Sequence, residues 1–238
     1  MKYAAQRLAN RVGYKITRLY GPDVTPELRA TIKSARRYTA TQDDAIVALH
    51  DAVHYIVRAD IPGAFVECGV WKGGSLLVIA RELQKLGIRD RDLVGFDTFA
   101  GMTAPTEEDV RYDGKPGRDP SSIHLPVAPS PEDVRALIHA SGYPSDRIQL
   151  VSGRVEDTLP QAAPEAIALL RLDTDWYEST RHEFTHLYPR LASGGILIVD
   201  DYGQWRGAQK ATDEYLASLE RPPFLVRVDH SVRIAVKP

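Results

Sequence analysis

Arg171-Leu-Asp-Thr-Asp-Trp-Tyr-Glu178, read together with Ile196-Leu-Ile-Val-Asp-Asp-Tyr-Gly203, decides the fold of this chain. Each stretch places acids directly after an apolar run that reads as a buried parallel strand. In an open α/β sheet, ligands bind in the crevice at the C-terminal ends of the strands. Asp173, Asp200 and Asp201 are therefore predicted to converge on one small volume. Asp173 and Asp200 are separated by one expected helix and one strand, as adjacent parallel strands require. Three carboxylates in one place repel one another unless a cation neutralises them, and oxygen-only ligation suits Mg²⁺, Ca²⁺ or Mn²⁺. Helix capping alone does not explain two adjacent acids with a third at the neighbouring strand end.

Upstream, the pattern is strand, glycine-rich turn, helix: Ala64–Cys68, then Gly69-Val-Trp-Lys-Gly-Gly74, then Ser75–Leu86. The glycines permit a tight turn, and the exposed N–H groups of a helix start favour an anion or carboxylate. The turn is neither the dinucleotide G-x-G-x-x-G string nor a phosphate-binding Gly-Lys-Ser/Thr loop. Glu67 ends the first strand, where a carboxylate can hold a ligand ammonium group. Asp97 ends the second strand, Leu93–Phe96, the usual place for an acid that hydrogen-bonds a ribose diol. A ligand with a ribose and a zwitterionic amino-acid tail satisfies both acids, and S-adenosylmethionine is such a ligand.

The remaining pattern completes a mostly parallel, Rossmann-like α/β sheet with helices on both faces. Thr25 or Pro26 starts one expected helix, and Thr41 is expected to cap a second whose Ile46, Leu49, Val53, Ile56 and Val57 recur at helical spacing. Gly101–Pro131 holds six prolines and little periodicity, which predicts a long functional loop or flap rather than core. Pro131–Ala140 suits a helix with proline at its start. Ile148–Val151, Ile167–Leu172 and Ile196–Val199 are further strands. Between the last two, Phe184, Leu187, Tyr188 and Leu191 mark a helix that Ser193-Gly-Gly195 is expected to end. Gly207–Leu219 follows as a helix, and Leu225–Val228 with Val232–Val236 form a closing antiparallel hairpin. The chain divides into a helical region, 1–62, as a lid or oligomer contact, and a catalytic domain, 63–238, carrying the inserted loop 101–131.

At 238 residues the chain is long enough for one large domain with a full core. A formal net charge of −2 gives no support to a nucleic-acid partner. Residues 1–40 are locally basic, with nine Lys or Arg against two acids, which reads as a solvated helix pair or an arm that meets an acidic rim. The single cysteine, Cys68, cannot form an intrachain disulfide and sits in a strand, so packing is expected of it. With no long apolar stretch, neither a membrane span nor a secretory signal is expected, and the setting expected is cytoplasmic. Trp176, Tyr177, Tyr202 and Trp205 fall near the acidic crevice. Asp175 is a capping or base candidate, and the isolated His124 and His182 are weak ones.

Phe65-Val-Glu-Cys-Gly-Val-Trp-Lys-Gly-Gly74, Gly95-Phe-Asp-Thr-Phe-Ala-Gly-Met102, Leu172-Asp-Thr-Asp-Trp-Tyr-Glu-Ser-Thr180 and Val199-Asp-Asp-Tyr-Gly203 resemble the macrocin O-methyltransferase family. That family includes sugar O-methyltransferases of the mycinamicin and novobiocin pathways, and the resemblance runs from about Tyr38 to the C-terminus. It implies a class I methyltransferase fold, S-adenosylmethionine as methyl donor, a divalent cation (normally Mg²⁺), and a sugar hydroxyl on a natural product as acceptor. It also implies a homo-oligomer, with a dimer favoured. By the same resemblance Glu67, Gly69 and Ser75 surround the methionine moiety, Asp97 meets the ribose, and Ser122 adds a cofactor contact. Asp173, Asp200 and Asp201 form the metal triad, with Asp173 also the candidate base. Ala100 stands where relatives often carry an acid. A phenol or catechol acceptor is the alternative for the same mechanism, and a metal-dependent hydrolase ranks below it.

Overall fold

The computed structural model describes residues 7, 8, 10–12, 20–119 and 129–238. The expected contact at Ser122, and His124, lie outside these residues. From Pro26 onward the elements are α1 (Pro26–Ala35), α2 (Asp43–Arg58), β1 (Ala64–Cys68), α3 (Gly74–Lys85), β2 (Leu93–Asp97), α4 (Pro131–His139), β3 (Ile148–Ser152), α5 (Val155–Thr158), β4 (Ile167–Leu172), α6 (Tyr177–Leu187), β5 (Leu191–Val199), α7 (Arg206–Ala217), β6 (Val226–Arg227) and β7 (Arg233–Val236).

The strands form one sheet in the order β3-β2-β1-β4-β5-β7-β6. β1 to β5 are parallel, β7 runs antiparallel to β5, and β6 pairs antiparallel with β7. The expected closing hairpin is thus present, somewhat shorter than its sequence pattern. The strand order reverses between β1 and β4, and such a switch point opens a crevice at the C-terminal strand ends.

Alternation along the strands sorts their side chains into two hydrophobic layers. Phe65, Leu93, Ile148, Ile196 and Ile198 pack with α1, α2, α3 and α4. Val66, Cys68, Val94, Leu170, Leu172, Leu197 and Val199 pack with α5, α6 and α7. The period of two places Glu67, Arg171 and Asp200 on the first of these faces. Register then brings two of them side by side, because Glu67 pairs directly with Arg171 across β1 and β4. Cys68 is buried, as expected, and desolvation pushes its thiol well above the ordinary range, so it is an inert packing group. No helix among the described residues is long and apolar enough to cross a membrane.

Two local expectations are corrected. Thr41 does not cap α2. Gln42 holds that position without a side-chain bond, and the Thr41 hydroxyl is drawn into the acidic site instead. Ser193-Gly-Gly195 does not end the preceding helix, which stops at Leu187 and passes through a 3₁₀ turn, Tyr188–Arg190. Those residues already belong to β5, where Gly194 and Gly195 exchange backbone hydrogen bonds with Lys237. Separately, the described part of the proline-rich loop is tied to the body of the protein. Asp109 is fully buried there, and Arg111 bridges to Trp205. The prolines limit periodicity without keeping the segment away from the body of the protein.

Candidate active site

A cavity of about 540 Å³ opens at the C-terminal ends of β1, β2, β4 and β5. Glu67, Gly69, Ser75, Asp97, Asp173, Asp200 and Asp201 all line it, so the structure brings together every expected site residue that lies among the described ones. Of the four expected aromatics, Trp176 and Trp205 line the cavity. The other two point to surface partners: the Tyr177 hydroxyl donates to Glu214 and that of Tyr202 to Asp213. His182 bears on α6, where its ring nitrogen lies near the Leu159 carbonyl, away from this cavity.

The glycine-rich turn exists because two strand exits must pass close together. Gly69 has φ +83°, and a Cβ there would come within 1.9 Å of the Asp173 carbonyl oxygen. Any side chain would force β1 and β4 apart, displacing the acid that follows β4. Asp97 holds the other side of the turn. Its Oδ2 accepts the Trp71 N–H at 2.7 Å and its Oδ1 the Phe99 N–H at 2.7 Å. Both donors belong to residues with left-handed backbone, at φ 45° and 50°. Asp97 is therefore a turn-stabilising acid as well as a ribose candidate. The Thr98 hydroxyl also reaches Oδ1 at 3.5 Å, and a carboxylate has about four lone-pair sites, so Oδ2 keeps room for a ligand hydroxyl.

Arg171 is the organising residue that the sequence reading did not single out. It is 2% exposed inside a strand that is otherwise apolar. One guanidinium nitrogen donates to Glu67 Oε1 and Asp173 Oδ2, both at 2.6 Å, and the other to Asp200 Oδ1 at 2.5 Å and Thr41 Oγ1 at 2.8 Å. The signal was visible: a charged residue within Ile167–Leu172 needs buried partners, because an isolated buried charge is prohibitively costly. The partners are the acids one strand away on either side, Glu67 and Asp200, and Asp173 at the exit of the same strand. Thr41 joins them from the segment before α2, and residues 38–42 of that segment also line the cavity.

A second set of bonds shapes the opposite wall. Asp201 Oδ2 accepts the Asp175 N–H at 3.0 Å, and Asp175 sits at φ 67°. Asp175 Oδ1 accepts Trp205 Nε1–H at 2.6 Å, while Trp176 Nε1–H donates to the Thr103 carbonyl at 2.9 Å. The two indoles meet edge to face with centroids 4.9 Å apart. The 101–119 loop, the exit of β4 and the start of α7 are thereby tied into one wall.

Burial and mutual repulsion dominate the titration of these acids. Desolvation and neighbouring carboxylates push Asp173 and Asp201 well above the usual carboxylate range, against the pull of Arg171. Asp175 is pushed up to about 8 by burial and then by Asp173. Glu67 rises to about 7 because burial outweighs Arg171, and its Oε2 has no hydrogen-bond partner. One oxygen from each of Asp173, Asp200 and Asp201 lies within 4.8 Å of the others, a spacing that admits a shared metal ion.

This sheet order, with an acidic ligand site at the strand switch point, defines a Rossmann-like class I methyltransferase. The chain matches the macrocin O-methyltransferase model over residues 16–233 and belongs to that family, whose members are S-adenosylmethionine-dependent O-methyltransferases. It is 33% identical over 184 residues to demethyldecarbamoylnovobiocin O-methyltransferase of Streptomyces niveus, covering 76% of this chain and 68% of that protein. It is 32% identical over 181 residues to 8-demethyl-8-(2,3-dimethoxy-alpha-L-rhamnosyl)-tetracenomycin-C 4'-O-methyltransferase of Streptomyces olivaceus, covering 76% and 69%. The solved O-methyltransferase NovP superposes with a TM-score of 0.74 at 30% identity, over 84% of this chain and 82% of that one.

Proposed function

We infer that the chain methylates a sugar hydroxyl of a small-molecule natural product, with Asp173, Asp200 and Asp201 holding a divalent cation, Mg²⁺ first. The observation that carries the metal is the donor set: three carboxylate oxygens within 4.8 Å, lining the same cavity as Glu67 and Asp97. The residues fit such an ion. Arg171 is shared among three acids and occupies one oxygen each of Asp173 and Asp200, leaving a second oxygen on each. Burial first, and mutual repulsion second, raise the carboxyls of Asp173 and Asp201, and a bound cation would offset that repulsion. When bound, a divalent cation lowers the pKa of a hydroxyl and fixes its position, and S-adenosylmethionine supplies the methyl group.

The chain's own residues supply binding, orientation and a proton acceptor. The unpartnered Oε2 of Glu67 is offered to the cofactor ammonium, with Gly69 and Ser75 beside it. Asp97 takes the ribose hydroxyls on the oxygen sites its backbone donors leave open. Arg171 keeps Asp173 and Asp200 aimed together, and Asp201 holds the backbone of Asp175. Asp173 accepts the acceptor hydroxyl proton as general base. Aligning an oxygen opposite the sulfonium is worth about 7–11 kcal/mol in comparable reactions, so these positioning contacts carry much of the rate. Support for a sugar comes from the tetracenomycin relative, whose name specifies a rhamnosyl substrate. Met102 and Thr103 of the 101–119 loop, with Thr39 and Gln42 of the segment before α2, line the cavity and form its acceptor-facing side.

Chelation should abolish most methyl transfer, and added Mg²⁺ should restore it, while S-adenosylhomocysteine binding measured by calorimetry persists. Asp200→Asn should require much more Mg²⁺ for half-maximal rate. Full activity in verified metal-free buffer would overturn the metal assignment without touching the cofactor assignment. Turnover of catechols but of no glycoside, in a panel containing both, would overturn the sugar assignment alone.

A further inference from the structure

A second cluster of ligand-type side chains lies away from the strand ends, between α2 and α3. His50 and His54 are one helical turn apart on α2, so their rings leave the same face, with centroids 4.1 Å apart. Glu82 of α3 faces them with a carboxylate that is 1% exposed. Its Oε1 is already occupied, accepting from Thr31 Oγ1 at 3.0 Å and Lys85 Nζ at 2.7 Å. Its Oε2 lies 3.2 Å from His54 Nε2 and 3.6 Å from His50 Nε2.

Those separations are informative. Donors bonded to a tetrahedral ion at about 2.0–2.1 Å stand about 3.3 Å from one another, and the two observed separations bracket that value. The longer one exceeds hydrogen-bond range, so hydrogen bonding alone does not explain the convergence of both rings. The rest of the surroundings also suit a ligand set. His50 Nδ1 lies 3.0 Å from Asp51 Oδ1, the carboxylate–imidazole arrangement that commonly orients a metal-ligating histidine through its other ring nitrogen. The cluster borders a cavity of about 390 Å³, also lined by Asp23 and Glu27, with room for a water as a further ligand.

We propose that His50, His54 and Glu82 bind one transition-metal ion, with Zn²⁺ the reference case, at a site separate from the aspartate triad. Two imidazole donors select zinc, cobalt, nickel or copper over Mg²⁺, whereas the triad offers oxygen alone. The ion joins α2 to α3 directly and reaches α1 through Thr31. These helices lead to the acidic site: Thr41, just before α2, holds Arg171, and Gly74 and Ser75 at the start of α3 line the main cavity. Occupancy therefore braces the helical wall of the catalytic cavity without contributing to it a group that touches the substrate.

The test uses the full-length protein stripped with chelator and then titrated with Co²⁺ or Zn²⁺ in excess Mg²⁺. The expected result is one equivalent of Co²⁺ with a visible absorption band, and a melting temperature raised by Zn²⁺. His54 is partly exposed and sits on a helix, so His54→Ala should fold normally and lose both responses. Asp200→Asn should keep both. Asp51→Asn should weaken binding by about 10–100-fold, the usual effect of removing the partner that orients a ligating imidazole. A wild-type protein with neither response overturns the proposal. So does retention of both responses by His54→Ala, or their loss in Asp200→Asn, which would assign the ion to the aspartates.

Discussion

Glu67 and Glu183 are both almost fully buried beneath the C-terminal end of the sheet, one on each face. Their surroundings differ most in charge. Glu67 meets the Arg171 guanidinium, whereas Glu183 has the Thr174 hydroxyl at 2.9 Å and the Cys68 thiol nearby, with Oε2 unpartnered. Burial raises both carboxyls, Glu67 to about 7 and Glu183 to about 8. Burial thus shifts Glu183 toward its neutral form, held by the Thr174 hydroxyl. Glu67 sits where small changes in nearby charge decide its ionisation, because Arg171 lowers it while Asp200 raises it. Equal burial leaves one acid beside a guanidinium at the cavity and the other without one, because Arg171, the one buried arginine among the described residues, stands on the first face.

Arg171→Leu gives the first face the character of the second and carries the largest expected effect. It strands Glu67, Asp173 and Asp200 without their shared cation, and removing one partner of a buried pair typically costs about 3–5 kcal/mol. Urea unfolding should show that loss, with Mg²⁺ recovering part of it if the triad binds the ion. Unchanged stability would mean that the acids are neutral and that Arg171 does not organise them.

Asp97→Ala comes next. Loss of charge-assisted hydrogen bonds should weaken S-adenosylmethionine binding by roughly 1.5–3 kcal/mol. Because Asp97 also holds the Trp71 and Phe99 backbone, a ribose role requires a further result. Asp97→Asn, which keeps one carbonyl oxygen, should retain the fold by circular dichroism and still bind the cofactor more weakly. Wild-type affinity in a folded Asp97→Asn protein would leave Asp97 as a turn residue only.

A double-mutant cycle between Arg171→Leu and Glu67→Gln sharpens the comparison. Residues sharing a buried network couple by about 0.5–3 kcal/mol, and this pair should fall in the upper half of that range. Additivity within experimental error would separate Glu67 from the network.

The smallest effect is Glu183→Gln. The folded pKa near 8 lies above the ordinary 4.5, so the folded chain keeps a proton that the unfolded chain has released. The stability this supplies is fully present below pH 4.5 and is lost as pH rises through 8. Gln mimics the neutral acid, so the variant should lose that component of the pH dependence and match wild type near pH 5. Denaturation midpoints across this window check it, and parallel pH profiles for the two proteins would refute the neutral assignment.

Much of this architecture was legible in local pattern. The apolar runs before Glu67, Asp97, Asp173 and Asp200 marked four parallel strands, and their following acids marked the ligand end of the sheet. The hairpin at 225–236 and the proline-started α4 also followed from short-range signals. Other features had misleading local signals. Thr41 has the sequence of a helix cap but spends its hydroxyl on Arg171, 130 residues away. Ser193-Gly-Gly195 has turn composition but pairs with Lys237 as strand. The prolines of the 101–119 loop concealed the fully buried Asp109, which accepts the Tyr177 N–H at 2.7 Å.

By itself, then, the sequence determined which residues face which side of which strand, because side-chain direction in a strand has a period of two and burial follows it. That was enough to set the Asp173 and Asp200 strands side by side and to bring five acids toward one end. Only the tertiary structure decided how those acids share charge. The Glu67–Arg171 pairing depends on the register between β1 and β4, and the bonds to Asp200 and Thr41 depend on β5 and the α2 entry lying across the same face. Electrostatic energy varies with distance and local polarity, and neither quantity exists along the chain until distant segments have packed.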